Sequence, residues 1–89
     1  MVYVLVFTDK AKEDVEFFKK SGDKIVLKKV NSLLKEILDT PFSGVGKPEA
    51  LKHELSGYWS RRINREHRLI YKVVDHSVVI YSLRGHYKK

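Results

Sequence analysis

The apolar positions change period once along this chain, from helical spacing to alternation, and the change falls at a stretch rich in proline and glycine. Before it, Tyr3, Val4, Leu5, Val6 and Phe7 form an unbroken β-branched and aromatic run. Such a run predicts a short strand covered on both faces, and therefore an interior strand. Thr8 or Asp9 can then cap a helix whose apolar stripe is Ala11, Val15 and Phe18, with Glu13 and Asp14 near its positive end and Ser21-Gly22 as its stop. Phe17 falls about 100° off that stripe, either as a half-buried rim residue or as a contact for a partner chain. Asp23 is a suitable N-cap for a second helix, in which Val26, Leu27, Val30, Leu33, Leu34, Ile37 and Leu38 occupy one arc. Its lysines take the remaining face. The helix is amphipathic and is expected to lie on the sheet with those lysines in solvent. Thr40 and Pro41 end it, because the residue before a proline is pushed out of the helical region.

Pro41 to Pro48 reads Pro-Phe-Ser-Gly-Val-Gly-Lys-Pro and holds both prolines of the protein, which predicts an ordered loop. Gly44-Val45-Gly46-Lys47 resembles a phosphate-binding loop only superficially. The GxxxxGK[ST] spacing is absent and Pro48 stands where Ser or Thr is needed, so nucleotide binding is rejected. Beyond Pro48, Leu51 to Leu55, Tyr58 to Ile63, His67 to Val74 and Ser77 to Arg84 alternate as strands, separated by Ser56-Gly57, Asn64-Arg65-Glu66 and Asp75-His76. The order strand, helix, helix, then an antiparallel meander predicts an α+β domain with its helices packed on a sheet. A chain of 89 residues and 10.4 kDa is expected to form a single domain over residues 1–89, with roughly 64% of its surface buried.

Composition narrows the function. With 43% hydrophobic residues the chain is too apolar for intrinsic disorder. No apolar run reaches the roughly 18 residues of a membrane span. Met1 to Phe7 lacks the basic flank and cleavage site of a signal peptide, so a cytoplasmic protein without membrane association is expected. The absence of cysteine excludes disulfides, thiol catalysis and thiolate metal sites. His53, His67 and His76 show no metal-ligand spacing, and neither a metal nor a cofactor is expected. The net charge of +7 is unevenly spread. Residues 1–46 hold eight lysines against seven acids, whereas residues 47–89 hold five lysines and all five arginines against four acids. That asymmetry favours an anionic partner, a nucleic acid or an acidic protein segment.

If the loop after Ile63 holds three residues, Ile63 pairs with His67 and Arg62 with Arg68, so that two guanidinium groups lie side by side. Like charges directly opposite are destabilising, and a fold that keeps them points to an anion between them. A slip of one residue would send Arg68 to the other face. Alternation from Arg84 puts His86 on the face of Arg84, just past the last strand. Glu49 precedes the meander, where Pro48-Glu49 could equally open a helical turn. Glu49 and His86 together with Arg62, Arg68 and Lys52 supply what metal-free RNA cleavage needs: a base for the 2′-hydroxyl, an acid for the leaving 5′-oxygen, and cations for the phosphorane. Tyr58, Trp59, Tyr71, Tyr81 and Tyr87 alternate with basic residues, which suits base stacking. Trp59 and Tyr71 are expected in the core, and Tyr87 beside His86 is the foremost stacking candidate.

The stretch Thr40-Pro41-Phe42, Gly44-Val45-Gly46-Lys47-Pro48-Glu49, Leu51-Lys52-His53, Leu55 to Ile63, Glu66 to Tyr71 and the final His86-Tyr87 resembles the YoeB/Txe toxins of the RelE superfamily. These are the mRNA interferase halves of type II toxin–antitoxin modules. The resemblance implies an N-terminal strand and two helices on a largely antiparallel sheet. It also implies endonucleolytic cleavage of mRNA in the ribosomal A site, without metal, by 2′-hydroxyl attack. Carried onto matching positions, Glu49 resembles the general base and His86 the general acid. Arg68 and Arg62 resemble the arginines that bind phosphate and stabilise the transition state, with Lys52 assisting, and Lys47 and Tyr87 as helpers in substrate binding. The implied partners are the 70S ribosome with its mRNA and an antitoxin of the YefM/Axe kind whose acidic C-terminal segment covers the toxin; a homodimer is also compatible. The first helix departs from the family, which commonly carries Tyr, Trp and Gln there, by having Val15, Phe17, Phe18 and Lys19-Lys20-Ser21-Gly22. The rival reading is a non-catalytic RNA- or ribosome-binding module that uses the same basic sheet.

Overall fold

A computed structural model describes residues 3–44, 46 and 48–85 of the chain. Its elements follow in the order β1 (Val4–Phe7), α1 (Asp9–Lys20), α2 (Lys24–Asp39), β2 (Glu49–Ala50), a 3-10 turn (His53–Leu55), β3 (Tyr58–Arg62), β4 (Arg68–Val74) and β5 (Ser77–Ser82). The strands form one sheet ordered β1-β5-β4-β3-β2, with β1 parallel to β5 and the other pairings antiparallel. This is the expected α+β arrangement. Among the described residues no helix is long and apolar enough to cross a membrane.

Local signals set the helices. The Thr8 hydroxyl accepts from Ala11 N at 3.1 Å and caps α1, while Asp23 Oδ1 accepts from Val26 N at 3.1 Å and caps α2. Gly22 reverses the chain between them at φ +71°. One face of the sheet then packs on the helices. Ala11 and Phe18 of α1 and Val26, Val30, Leu33 and Ile37 of α2 bury against Ile63, Leu69, Tyr71, Val78, Ile80 and Leu83. No described helix lies on the opposite face.

Two expectations fail. β1 is an edge strand, not an interior one, because among the described residues only β5 pairs with it. Leu5 and Phe7 turn toward the core, but Val4 and Val6 are 54% and 45% exposed. An unbroken apolar run signals two covered faces only where both faces have cover, and here the helices supply it on one. Leu51 to Leu55 is likewise not a strand. β2 ends at Ala50, one further bond runs from Leu51 N to Tyr58 O at 2.9 Å, and His53, at φ +60°, then leads the chain through a 3-10 turn. Leu51, His53 and Leu55 alternate as a strand would, but the backbone reversal into Ser56-Gly57 comes first.

The centre of the inner face is polar. Arg61 is fully buried, and its guanidinium donates to Tyr71 Oη at 3.1 Å, to Ser43 O at 2.8 Å and to Thr40 O. Tyr71 Oη in turn donates to Pro41 O. The loop after α2 is thereby sewn to β3 and β4, and Gly46 O accepts from Arg62 N at 2.7 Å a little further on. Gly46 has φ +88°, and a Cβ there would lie 2.8 Å from Leu33 Cδ2, so the close approach requires glycine.

Burial holds the Tyr71 phenol above its ordinary 10.0, against the lowering effects of the Arg61 hydrogen bond and charge. Tyr71→Phe strands Pro41 O and the Arg61 Nε donor, and should cost about 1–3 kcal/mol in urea unfolding at neutral pH. The folded chain keeps a phenolic proton that the unfolded chain releases, so this part of the stability is complete below pH about 10 and fades as pH rises further. The stability gap between the parent and Tyr71→Phe should therefore narrow in alkali; a gap constant with pH would contradict the network.

Candidate active site on the open face of the sheet

Register decides which side chains meet. Arg62 pairs directly with Arg68, Ser60 with Ile70, and Glu49 with Ser60. Paired residues share a face, and so do residues two apart, so Glu49, Ser60, Arg62, Arg68 and Ile70 all face away from the helices. The expected pairing of Ile63 with His67 is also present, Ile63 N donating to His67 O at 3.1 Å. Strand spacing puts the Glu49 and Arg68 backbones roughly 12 Å apart, a gap that their side chains can close on one phosphodiester. Glu49 and Arg62 are exposed and Arg68 is half-buried.

The turn between β3 and β4 is fixed by its own polar groups. Asn64 Oδ1 accepts from Glu66 N at 2.9 Å and His67 N at 2.8 Å. Arg68 Nη1 donates to Asn64 O at 2.7 Å and His67 O at 3.1 Å. One edge of the guanidinium is thus oriented by backbone carbonyls, and a planar fork held this way presents its remaining donors in a set direction.

Two side chains that the sequence reading did not single out hold the segment after β5. Asp14, 3% exposed, accepts from Leu83 N at 2.9 Å and Arg84 N at 3.2 Å through Oδ2, and pairs with Lys10 Nζ at 2.6 Å. His67 Nδ1 accepts from Gly85 N at 2.9 Å, and Gly85 O accepts from Arg68 N at 3.0 Å. The chain therefore passes Gly85 bonded to the arginine strand. Arg84 stacks over Phe17 at 3.6 Å, so Phe17 is the seat of an arginine as well as a rim residue. Asp14 was detectable: it lies at helical spacing on the stripe Ala11, Val15, Phe18, and an acid on an apolar stripe needs partners. Arg61 was detectable too, since alternation sends one of two neighbouring arginines inward.

Of the other predicted residues, Lys52 is exposed at the start of the 3-10 turn and has the parity of Ala50, so the sheet does not carry it onto the Glu49 face. Lys47, His86 and Tyr87 lie outside the described residues. Tyr71 is buried, as expected, whereas Trp59 is only half-buried, packed at the margin of the core and against Phe42. Among the described residues no three His, Asp or Glu side chains are grouped so as to hold a metal ion.

Fold and face together define a small basic α+β protein with a carboxylate and two adjacent guanidinium groups on an open sheet surface. A family profile described as "YoeB-like toxin of bacterial type II toxin-antitoxin system" matches residues 7–87. The chain is 49% identical to Toxin YoeB of Synechocystis sp. over 85 residues, 96% of this chain and 98% of that protein. It superposes on the YoeB dimer from Staphylococcus aureus with a TM-score of 0.87 at 45% identity, covering 98% of this chain and 100% of that one. A chain of the heterotetrameric YoeB-YefM toxin-antitoxin complex from the same organism matches with a TM-score of 0.85 at 45% identity and the same coverage. The protein belongs to the YoeB-like toxins of bacterial type II toxin–antitoxin systems.

The facing arginines make a prediction that separates stability from function. Because like charges opposite one another cost stability, Arg62→Ala should leave unfolding unchanged or raise the stability by about 0.2–1 kcal/mol. Toxicity should fall sharply in the same variant. A loss of stability on chemical denaturation would show that Arg62 serves the fold and not an anion.

Proposed function

We propose that this toxin cleaves mRNA on the ribosome, within the A-site codon, without a metal ion. The observation that carries the reading is the direct pairing of Arg62 with Arg68 on the face of Glu49. In the reaction, Glu49 takes the proton of a 2′-hydroxyl as its oxygen bonds to the adjacent phosphorus. Arg68 and Arg62 neutralise the extra charge on the phosphorane, where preorganised donors are worth most. His86 protonates the 5′-oxygen as the P–O5′ bond breaks, leaving a 2′,3′-cyclic phosphate and a 5′-hydroxyl. His86 follows Gly85, whose N–H donates to the His67 imidazole and whose carbonyl accepts from Arg68 N, and this tie of the preceding residue to the arginine strand supports the assignment. Lys52, Lys47 and Tyr87 are assigned to substrate binding, and the whole of residues 1–89 to one toxin domain.

The same reading gives the chain a YefM-like antitoxin, since the matched Staphylococcus aureus relative is solved in a complex with YefM. An acidic antitoxin arm suits the +7 chain. A homodimer is proposed on the precedent of the YoeB dimer from that organism. The setting is the cytoplasm, where ribosomes and translated mRNA are found.

In a purified translation system at the Mg²⁺ level that keeps the ribosome assembled, cleavage should vanish when the target nucleotide lacks its 2′-hydroxyl and should otherwise leave a 2′,3′-cyclic phosphate. Glu49→Ala and His86→Gln should each abolish cleavage, with losses on the order of 10²–10⁴-fold, while ribosome binding survives. A binding module without catalysis would be indicated if neither change mattered more than Lys52→Ala, and a product with a 3′-hydroxyl and a 5′-phosphate would refute the mechanism.

A further inference from the structure

Beyond the arginine pair the open face continues into a second, separate group of side chains. Tyr58 pairs directly with Lys72 across β3 and β4, and the Lys72 ammonium lies 5.2 Å from the centroid of the Tyr58 ring. Tyr81 of β5 meets the same ring edge-on at 5.4 Å. Tyr81 is 43% exposed, and Tyr58 and Lys72 are half-buried. The three form a surface cluster outside the core.

A β-bulge puts Tyr81 there. Ile70 pairs with Ser82 and Tyr71 with Ile80, so Tyr81 is the extra residue on β5. Its carbonyl accepts from the Thr8 hydroxyl at 2.7 Å, and Thr8 N donates to Ile80 O at 3.1 Å, which fixes the bulge to the start of α1. Bulges beside functional sites re-aim a side chain. Here the bulged tyrosine turns onto Tyr58.

Position gives the cluster a use. Tyr58 is four strand residues from Arg62, and Lys72 four from Arg68, so both lie roughly 13 Å from the arginine pair. The row of Glu49, Ser60 and Ile70 crosses the face between the two groups. On the cleavage reading above, on which this inference rests, Glu49 meets a 2′-hydroxyl of the nucleotide on the 5′ side of the cut phosphate. Along β3 and β4 the order is the arginine pair, the row of Glu49, then Tyr58 and Lys72, so a strand that runs lengthwise from the arginines past that row reaches this cluster on its 5′ side, with Tyr81 beside it on β5 and Glu49 at the β2 edge.

We propose that Tyr58, Tyr81 and Lys72 form a subsite for single-stranded RNA on the 5′ side of the cleaved bond, the Tyr81 ring stacking on a base and Lys72 meeting a backbone phosphate. Aromatic rings take any base, and an ammonium beside them supplies the charge that a backbone needs. The edge-on contact leaves part of the Tyr81 ring in solvent, and Tyr58 holds that ring upright.

The test measures binding directly, so that it does not depend on cleavage. Full-length protein in a Glu49→Gln background, which keeps the RNA intact, is titrated at low salt with a fluorescent single-stranded oligoribonucleotide. Tyr81→Ala should weaken binding about tenfold, and Tyr81→Phe, which keeps the ring, should restore it. Lys72→Gln should flatten the log–log salt dependence by about 0.7. Thermal unfolding checks that each variant is folded. If Arg68→Ala weakens binding but Tyr81→Ala and Lys72→Gln do not, the subsite is refuted while the RNA reading stands. If those two changes spare RNA binding and weaken only the complex with the antitoxin, the cluster is a protein contact and the proposal fails. If the parent binds no RNA, on or off the ribosome, the cleavage reading falls and the subsite with it.

Discussion

The buried guanidinium of Arg61 is the interaction on which the rest of this structure depends. A fully buried arginine is tolerable only when its donors are met, and Arg61 meets them with Tyr71 and the carbonyls of Thr40 and Ser43. Those carbonyls belong to the loop that leaves α2, and the loop leads directly to Glu49. The same side chain that satisfies the centre of the inner face therefore fixes the chain that carries the proposed base on the outer one. Arg61 and Arg62 are neighbours in β3 with opposite duties, one fastening the loop and the other exposed beside Arg68.

The two faces of the sheet obey different rules. The inner face is closed by α1 and α2 and has its polar groups paired. The outer face keeps two like charges opposite one another, an arrangement that costs stability unless an anion joins them. It also keeps Val4 and Val6 in solvent on an edge strand. The middle of this face is nonetheless buried at Ser60 and Ile70, so what it meets sets only the exposed groups around them, Glu49 and Arg62 among them.

Much of this was legible in the residues, and the limits have physical causes. Both helix caps, the arc of α2 and the register that pairs Arg62 with Arg68 follow from local chemistry: a capping oxygen, a 3.6-residue period, a three-residue turn. The edge position of β1 was not legible, because apolarity reports how much a strand wants cover and not whether its own chain supplies it. Nor was the 3-10 turn at His53–Leu55, where alternation imitates a strand until a left-handed residue breaks it. Of the proposed site, the grouping of Glu49 with the arginines required strand pairing that no local signal specifies, and their roles were legible only through the family resemblance. Tyr81 looked like one tyrosine among several until the bulge gave it a direction.

The first helix, whose residues were expected to depart from the family's, has a structural role of its own. Phe17 and Phe18 meet edge to face at 5.7 Å and hold two different groups. Phe17 lies under the Arg84 guanidinium, and Phe18 meets the His67 ring at 5.1 Å. His67 accepts from Gly85 at Nδ1, and Asp14 one turn earlier on the helix accepts from Leu83 and Arg84. Every one of these contacts acts on the segment after β5. Helix α1 is thus more than cover for the sheet: with Asp14, Phe17 and Phe18 it clamps the stretch that leads into His86. The clamp fixes Leu83, Arg84 and Gly85, the stretch directly before the proposed acid, and ties it to the same strand that carries Arg68.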